Sequence, residues 1–299
     1  MKRRFFSENR GARGDYARSD LACESGAEGV VCEEERAEAG LTPVTLLRRR
    51  GTEGGRSVTL DLGRITARGE EELIPLSELL AEELRRMTEA MTGMTPGGGM
   101  RVLAVGLGNG SMTPDAVGPH TLRRLAATRH LREYDEALFA SLGCCELAAL
   151  SPGVLGQTGM ESGELVKMAA ELTRPHLIVA VDALAARSCE RLASMIQLSD
   201  GGISPGAGIG NHRMPLTRET MGCPVMGVGV PTVVDSSTLV WDALEKAGMG
   251  EGDCPPALAE VLERGRSFIV TPRDCDEMVN MTCRLLARGL SLAFGVLDG

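Results

Sequence analysis

The sequence predicts an α/β fold in which a mostly parallel central sheet is flanked by helices. Short apolar segments alternate along the chain with segments of helical periodicity, the order of elements that builds such a sheet. Residues 177–181 are wholly apolar, as the buried strands of parallel sheets tend to be. Glycine-rich turns follow several of the apolar segments. In sheets of this kind, functional residues gather at the carboxyl ends of the strands.

The N-terminal region has a charge reversal and no apolar periodicity. Residues 1–18 contain six basic and two acidic side chains, whereas residues 19–40 are predominantly acidic. Segments of this composition bury little apolar surface. We therefore expect residues 1–40 to form a loosely held arm.

The next elements are predicted from alternation and from helical spacing. Residues 56–67 alternate between polar and apolar side chains, which is typical of a strand or hairpin. Leucines and methionines recur at helical spacing over residues 75–92, with Pro75 in the first turn of the predicted helix. Residues 96–99, Pro-Gly-Gly-Gly, then interrupt the chain.

The remaining two thirds of the chain repeat a strand, a loop and a helix. Strands are predicted at residues 101–105, 177–181, 224–230 and 267–270. Helices are predicted at about residues 114–131, in a segment that ends near Ala247, and at 272–294.

Composition excludes several classes of protein. The net charge of −9 argues against a direct nucleic-acid partner, because phosphate binding needs a basic face. The nine cysteines are odd in number and include no CxxC pair, which favours reduced thiols in a cytoplasmic protein over disulfides or a zinc site. No signal-peptide core and no apolar stretch near about 18 residues are present, so we expect no membrane association.

Two aspartates stand out as candidate catalytic groups. Asp115 follows the strand at 101–105 and a glycine-rich loop, and Thr113 is the predicted N-cap of the helix that begins there. The Asp115 carboxylate is a candidate either for catalysis or for complementing the helix dipole. Asp182 directly follows the apolar strand at 177–181, where a carboxylate must be hydrogen-bonded or face a cleft. For Asp235, which follows a third strand, we favour a helix-capping role.

Carboxylates at neighbouring strand ends can share a proton and a water molecule. Like charge raises the pKa of one of them, which leaves one acid and one base in the same cleft. This is the chemistry of aspartic proteolysis. The Asp-Thr/Ser-Gly signature of pepsin-type enzymes is absent, so such an enzyme would have another fold.

Competing motifs are weak. Residues 202–206 match G-x-S-x-G, but the strand and helix that a nucleophile elbow requires are not predicted around them. Residues 106–111 lack the third glycine of a dinucleotide-binding loop. The sequence contains no H-E-x-x-H motif and no P-loop, and its four histidines are scattered.

Five ordered motifs together resemble one known family. They are residues 102–119, which include Thr-Pro-Asp-Ala, residues 151–161, residues 178–188, which include Val-Asp-Ala-Leu, residues 196–211, and residues 229–235. On these segments the chain resembles the spore germination proteases, the peptidases of small acid-soluble spore proteins.

The resemblance carries further expectations. It implies a fold like that of the hydrogenase maturation proteases, a homotetramer in the cytoplasm of the spore core, no cofactor, and small acid-soluble spore proteins as substrates. The family's two catalytic aspartates correspond to Asp115 and Asp182. It also implies a zymogen that cuts itself, here between Asp20 and Leu21, where the family's acidic residue, large apolar residue and alanine are matched. The expected organisation is a propeptide arm at residues 1–20 and a single α/β peptidase domain at 21–299.

Two alternatives stay open at this point. Related folds bind a metal through carboxylates and histidine, so a metal-dependent peptidase of the same fold is one alternative. A non-catalytic homologue that binds its substrate is the other. The sequence also leaves open which of Asp115 and Asp182 acts as the base.

Overall fold

A single mixed sheet forms the centre of the protein. The computed structural model describes residues 20–21, 30–51, 55–204, 213–249, 255–265 and 268–296. Within them the strands are β1 (Val31–Ala39), β2 (Thr42–Arg50), β3 (Arg56–Asp61), β4 (Arg101–Gly106), β5 (Glu146–Leu150), β6 (Leu177–Ala185), β7 (Met195–Ser199), β8 (Val225–Asp235) and β9 (Ile269–Val270). Their order across the sheet is β1-β2-β3-β7-β8-β6-β4-β5, with β9 paired to the end of β8.

The α/β class predicted from the sequence is confirmed, with the parallel pairing concentrated in one half of the sheet. Strands β5, β4, β6 and β8 pair in parallel. Strands β1, β2, β3 and β7 pair antiparallel and continue the sheet from β8. Short connections explain the antiparallel half, because two residues link β1 to β2 and a tight turn can only reverse the chain.

Helices cover both faces of the sheet. They are α1 (Glu70–Thr92), α2 (Val117–Leu122), α3 (Arg129–Tyr134), α4 (Glu136–Leu142), α5 (Leu155–Thr158), α6 (Ser162–Thr173), α7 (Arg218–Met221), α8 (Ser236–Lys246), α9 (Pro256–Gly265) and α10 (Cys275–Phe294). Leucines of α1 and α10 share the larger apolar core with one face of the sheet. Residues of α6 and α7 share a smaller core with the other face. No helix of the described segments is both long and apolar enough to cross a membrane.

The expectation of a loose arm as far as residue 40 is wrong for residues 31–39. These residues form β1, the edge strand, which pairs with β2 along its whole length. The acidic side chains of β1 face a basic strand, and Arg48 Nε donates to Glu35 Oε2 at 2.9 Å. Cross-strand charge pairs of this kind support a strand that has little apolar surface. Residues 1–19 lie outside the described residues, so the propeptide arm stays a prediction.

The single helix expected at residues 114–131 is divided. A 3-10 turn at Thr113–Asp115, α2 and α3 take its place. The side chain of Thr128 explains the break, because its Oγ1 donates to Cys145 O at 2.6 Å and accepts from Leu147 N–H at 2.8 Å. These bonds attach the chain to β5, so the helix cannot continue through residue 128.

The long helix α1 begins earlier than its apolar periodicity predicted. Its first residue is Glu70, five residues before Pro75. Glu72 accepts a hydrogen bond from the Gly69 N–H at 2.9 Å, and three glutamates occupy the first turn, where the helix dipole favours negative charge. The three glutamates therefore mark the beginning of the helix, and Pro75 lies within it.

Candidate active site

Asp182 lies in the middle of the parallel half of the sheet. Strand β6 was expected to stop at residue 181, but it continues through Asp182 to Ala185 and pairs with β8 over that extension. The Asp182 side chain is 5% exposed, and its Oδ1 accepts from the Ala183 N–H at 2.9 Å. A carboxyl group therefore stands on an otherwise apolar strand with little contact with bulk water.

Asp115 is held by the glycine-rich loop that follows β4. Its Oδ2 accepts from the Asn109 N–H at 2.7 Å. Gly108 has φ 102°, and a Cβ at that position would lie 2.1 Å from Asp115 O, so only glycine allows the loop to approach this closely. The predicted N-cap at Thr113 is wrong, because Met112 occupies that position without a side-chain cap. The Asp115 carboxylate consequently binds the loop and not the end of a long helix.

One cavity of about 190 Å³ contains both carboxyl groups. The two aspartates, which are far apart in sequence, thus face the same space. Asp20 is a third acidic side chain in its wall. The other lining residues are Leu107, Gly108, Met112, Pro114, Ser162, Ala183, Ala185, Arg213, Thr232, Val233 and Ile269.

The two aspartates differ in their electrostatic surroundings. Burial, together with the charges of Asp115 and Asp20, raises the pKa of Asp182 to about 8, against the hydrogen bond from Ala183 and the charge of Arg213, which lower it. Burial also raises the pKa of Asp115, while the hydrogen bond from Asn109 and the charge of Arg213 oppose that rise. This asymmetry favours Asp182 over Asp115 as the carboxyl group that keeps a proton at neutral pH.

Asp235 has the capping role that was predicted for it. Its Oδ1 accepts from the Thr238 N–H at 2.8 Å, and its Oδ2 accepts from the Thr238 hydroxyl at 2.6 Å. It begins helix α8 and is absent from the lining of the cavity. The third strand-end acid is thus a structural group.

Two polar residues near the cavity were missed by sequence reasoning. Arg213 lines the cavity. It follows residues 205–212, which include His212 and lie outside the described residues. Gln197 lies in β7 and is 8% exposed, with its Nε2 at 3.5 Å from the carbonyl oxygen of Asp20. A carboxamide in an otherwise apolar strand was the available signal for Gln197. The signal for Arg213 was weaker, since an arginine in a glycine-rich loop is common.

The donor set of the cavity bears on the metal alternative. The lining carries the carboxyl groups of Asp20, Asp115 and Asp182 and, in the described part of the chain, no histidine or cysteine. No group of three or more histidine, cysteine or acidic side chains is placed to hold a metal ion among the residues that the structure describes. His176 serves the fold instead, since its Nδ1 accepts from the Arg101 N–H at 3.0 Å.

Comparison with known proteins identifies the family. Residues 20–247, most of the chain, match the family model described as germination protease. The chain belongs to the germination protease family. It is therefore an endopeptidase of the kind associated with spore germination, and the resemblance drawn from the five motifs is confirmed.

Several curated germination proteases align over most of the chain. That of Clostridium perfringens strain 13 is 35% identical over 316 positions, covering 92% of this chain and 94% of the relative. That of Caldanaerobacter subterraneus subsp. tengcongensis is 35% identical and covers 89% of this chain and 88% of its own length. That of Bacillus thuringiensis subsp. konkukian is 38% identical over 74% of this chain and 61% of its own length.

A solved structure was also matched. It is the [NiFe] hydrogenase maturation protease HycI from Thermococcus kodakarensis KOD1, with 18% identity and a TM-score of 0.27. The match covers 55% of this chain and 93% of that chain. The α/β assignment rests on the strand pairing described above and not on this match.

Proposed function

We propose that this germination protease hydrolyses small acid-soluble spore proteins in the spore core by activating a water molecule between Asp115 and Asp182. The observation that carries the proposal is the single cavity in which both carboxyl groups lie, with Asp182 buried and Asp115 bound to a loop amide. Two carboxyl groups with different environments can take the roles of acid and base.

The electrostatic asymmetry assigns the two roles. Asp115, whose carboxylate accepts a hydrogen bond from the Asn109 N–H and is favoured in its ionised form by the charge of Arg213 against the effect of burial, is the base that removes a proton from water. Asp182, whose pKa is raised to about 8, begins the cycle protonated and is the acid.

The chemical step conserves atoms and protons. The water oxygen bonds to the carbonyl carbon of the peptide as Asp115 takes the water proton. Asp182 gives its proton to the amide nitrogen as the C–N bond breaks, which leaves a carboxylic acid and an amine. Exchange with solvent then returns the proton from Asp115 to Asp182. General acid–base catalysis of this kind contributes about 10²–10⁴-fold to a rate.

The same site supports self-processing of a zymogen between Asp20 and Leu21. Asp20 is in the wall of the cavity that contains Asp115 and Asp182. Its backbone N–H donates to Ala185 O at 3.0 Å, which attaches the segment to the end of β6. The bond expected to be cut therefore starts at a residue that is already in the cleft. A homotetramer remains a prediction that analytical ultracentrifugation would test.

The direct test uses a purified small acid-soluble spore protein as substrate and intact-mass spectrometry as the readout. Asp115→Asn and Asp182→Asn are each expected to lower the cleavage rate by at least about 10²-fold. Asp235→Asn is the matched control, because Asp235 is as buried as Asp182 but lies outside the cavity, and its rate is expected to stay near that of the native chain.

The outcomes separate the alternatives. Full activity in both cavity variants would refute the two-aspartate mechanism. Inhibition by a chelator, reversed by added metal, would favour a metal-dependent peptidase. Binding of the substrate without any cleavage by the native chain would indicate a non-catalytic homologue.

A further inference from the structure

The short segment Asp20–Leu21 is bound to the protein on both sides of the bond expected to be cut. At residue 20, the N–H donates to Ala185 O at 3.0 Å, and the Ala185 N–H donates to Asp20 Oδ2 at 2.9 Å. One residue at the end of β6 thus binds both the backbone and the carboxylate of Asp20. Bonding of an extended peptide to a strand in this way is a common mode of peptide recognition.

The side chain of Leu21 fills an apolar pocket. It is 1% exposed and packs with Leu184, Ala186, Leu192 and Val234. These four residues come from β6, from the segment before β7 and from β8, so the pocket is a product of the tertiary fold. An apolar pocket of fixed size discriminates between side chains by the methylene groups that fill it.

Gln197 faces the other side of the same bond. Its Nε2 lies 3.5 Å from the carbonyl oxygen of Asp20. Gly229 of β8 is paired with Asp182 on one side and with Gln197 on the other. Paired residues project from the same face of a sheet, so Asp182 and Gln197 lie on one face with their Cα atoms about 10 Å apart and a glycine between them.

The glycine makes room for a leucine side chain between these two groups. A Cβ at Gly229 would lie 2.2 Å from Leu184 Cδ1, which is closer than two non-bonded carbon atoms can approach. Leu184, which contributes to the pocket, therefore packs directly over the Gly229 backbone. A larger residue at 229 would displace Leu184 and occupy the space next to Asp182.

We propose that these contacts are the ones a protein substrate makes. The pocket of Leu184, Ala186, Leu192 and Val234 selects the residue that follows the cut bond, and Gln197 contacts the carbonyl oxygen of the residue that precedes it. Carboxamide donors can stabilise the oxyanion that forms when water adds to such a carbonyl. This inference rests on the proposed function, since it assigns binding roles around the Asp115 and Asp182 site.

The pocket is tested with a peptide series based on residues 16–25 in which the residue at position 21 is Leu, Ala or Phe. The native enzyme, after removal of its N-terminal arm, is expected to cut the Leu peptide about 10–200-fold more efficiently than the Ala peptide. Leu192→Ala enlarges the pocket and is expected to raise the ratio of kcat/KM for the Phe peptide to that for the Leu peptide about tenfold. A ratio within one enzyme is independent of how much of the sample is folded.

The matched control is Leu147→Ala, which shortens another buried leucine, on β5 and in a different apolar cluster. It is expected to leave the Phe-to-Leu ratio unchanged. An unchanged ratio in Leu192→Ala would overturn the assignment of the pocket. If the native enzyme cuts neither these peptides nor an acid-soluble spore protein, the proposed function fails first and this inference fails with it.

Gln197 is tested by Gln197→Met, which keeps the length of the side chain and removes the donor. The expected result is a fall in kcat of about 10–100-fold with little change in KM and with the preference at position 21 retained. Thr59→Val is the control, since Thr59 is paired with Gln197 on the neighbouring strand β3 and is fully buried. A normal kcat in Gln197→Met would overturn the assignment of this residue.

Discussion

Two of the carboxyl groups that the protein buries, those of Glu83 and Asp182, have opposite surroundings. Glu83 of helix α1 is 1% exposed and accepts hydrogen bonds from Arg48 at 2.6 and 2.8 Å and from Arg86 at 2.9 Å. Asp182 of β6 is 5% exposed, and the hydrogen bond that the structure gives to its carboxyl group comes from the Ala183 N–H. The first carboxylate has two cations as partners, and the second faces two other acids across a cavity.

The difference separates a group that holds the fold from a group that is available for chemistry. The buried Glu83 carboxylate is paired with two arginines, and its hydrogen bonds raise the pKa of Arg48 above its ordinary value. A buried carboxyl without such a partner has a raised pKa and can give and take a proton near neutral pH. Four substitutions and one change of conditions test this contrast.

The largest expected effect is a gain in stability from Asp182→Asn. The pKa of Asp182 is raised from 3.8 to about 8 in the folded protein, so ionisation destabilises the fold increasingly as the pH rises from about 4 to 8. The variant has no such charge and is expected to be more stable by about 2–5 kcal/mol at pH 8 and nearly unchanged at pH 4. Urea unfolding at both pH values measures this.

Asp235→Asn is the matched control for that gain. Its carboxylate is equally buried but accepts two hydrogen bonds from Thr238, so we expect no gain at either pH. A similar gain at both positions would show that burial alone, and not the lack of a partner, sets the effect.

The opposite sign is expected for Glu83→Gln. The substitution leaves the Arg48 and Arg86 guanidinium groups without their buried counter-charge, and it is expected to destabilise the fold by about 2–4 kcal/mol. This loss of stability is smaller than the loss expected for a fully buried ion pair, because the Arg48 side chain is 27% exposed. The midpoint of urea unfolding gives the loss, and activity of the folded fraction should remain. Unchanged stability would contradict a structural role for this ion pair.

The pH dependence of hydrolysis tests the second carboxyl group of the comparison, that of Asp182. With Asp182 as the proposed acid, kcat/KM is expected to fall about tenfold per pH unit above about pH 8, as the group loses its proton. At low pH the rate is expected to fall again when Asp115 becomes protonated. Initial rates of peptide cleavage between pH 4 and 10 measure both limbs. A value of kcat/KM that continues to rise above pH 8 would contradict the assignment of Asp182 as the acid.

The smallest effect is expected at Glu82, one residue from Glu83. Glu82 is 53% exposed and forms an ion pair with Arg86 on the surface of α1. Glu82→Gln is expected to change the free energy of unfolding by less than about 0.5 kcal/mol, since solvent screens exposed pairs. Comparison with Glu83→Gln in the same buffer isolates burial as the cause of the difference. A loss as large as that of Glu83→Gln would refute this reading.

The local sequence was sufficient to predict the strands at the centre of the sheet, but it was insufficient to predict the strand at its edge. The apolar segments at 101–105 and 177–181 predicted β4 and β6, because a parallel strand buried on both faces needs little besides apolar side chains. Strand β1 was missed because its support comes from arginines of β2 across the sheet. Charged strands of this type have no distinctive periodicity.

The candidate site, too, could be predicted from the local sequence only in part. Asp115 and Asp182 were identified because each follows an apolar strand, a property that neighbouring residues reveal. Gln197 was missed because its relation to Asp182 depends on the pairing of β7 with β8 and of β8 with β6. The burial of Leu21 likewise depends on residues more than 160 positions away in the chain, such as Leu184. Contacts of this kind follow from topology and not from local pattern.

The attachment of Asp20 to Ala185 has a kinetic consequence, because both residues belong to one chain. A tethered segment meets its site at an effective concentration on the order of millimolar. A free peptide of equal intrinsic affinity at micromolar concentration would occupy the cleft only about one time in a thousand. Diluting the protein does not weaken this competition, so release of the tether, and not the supply of substrate, would determine when digestion begins.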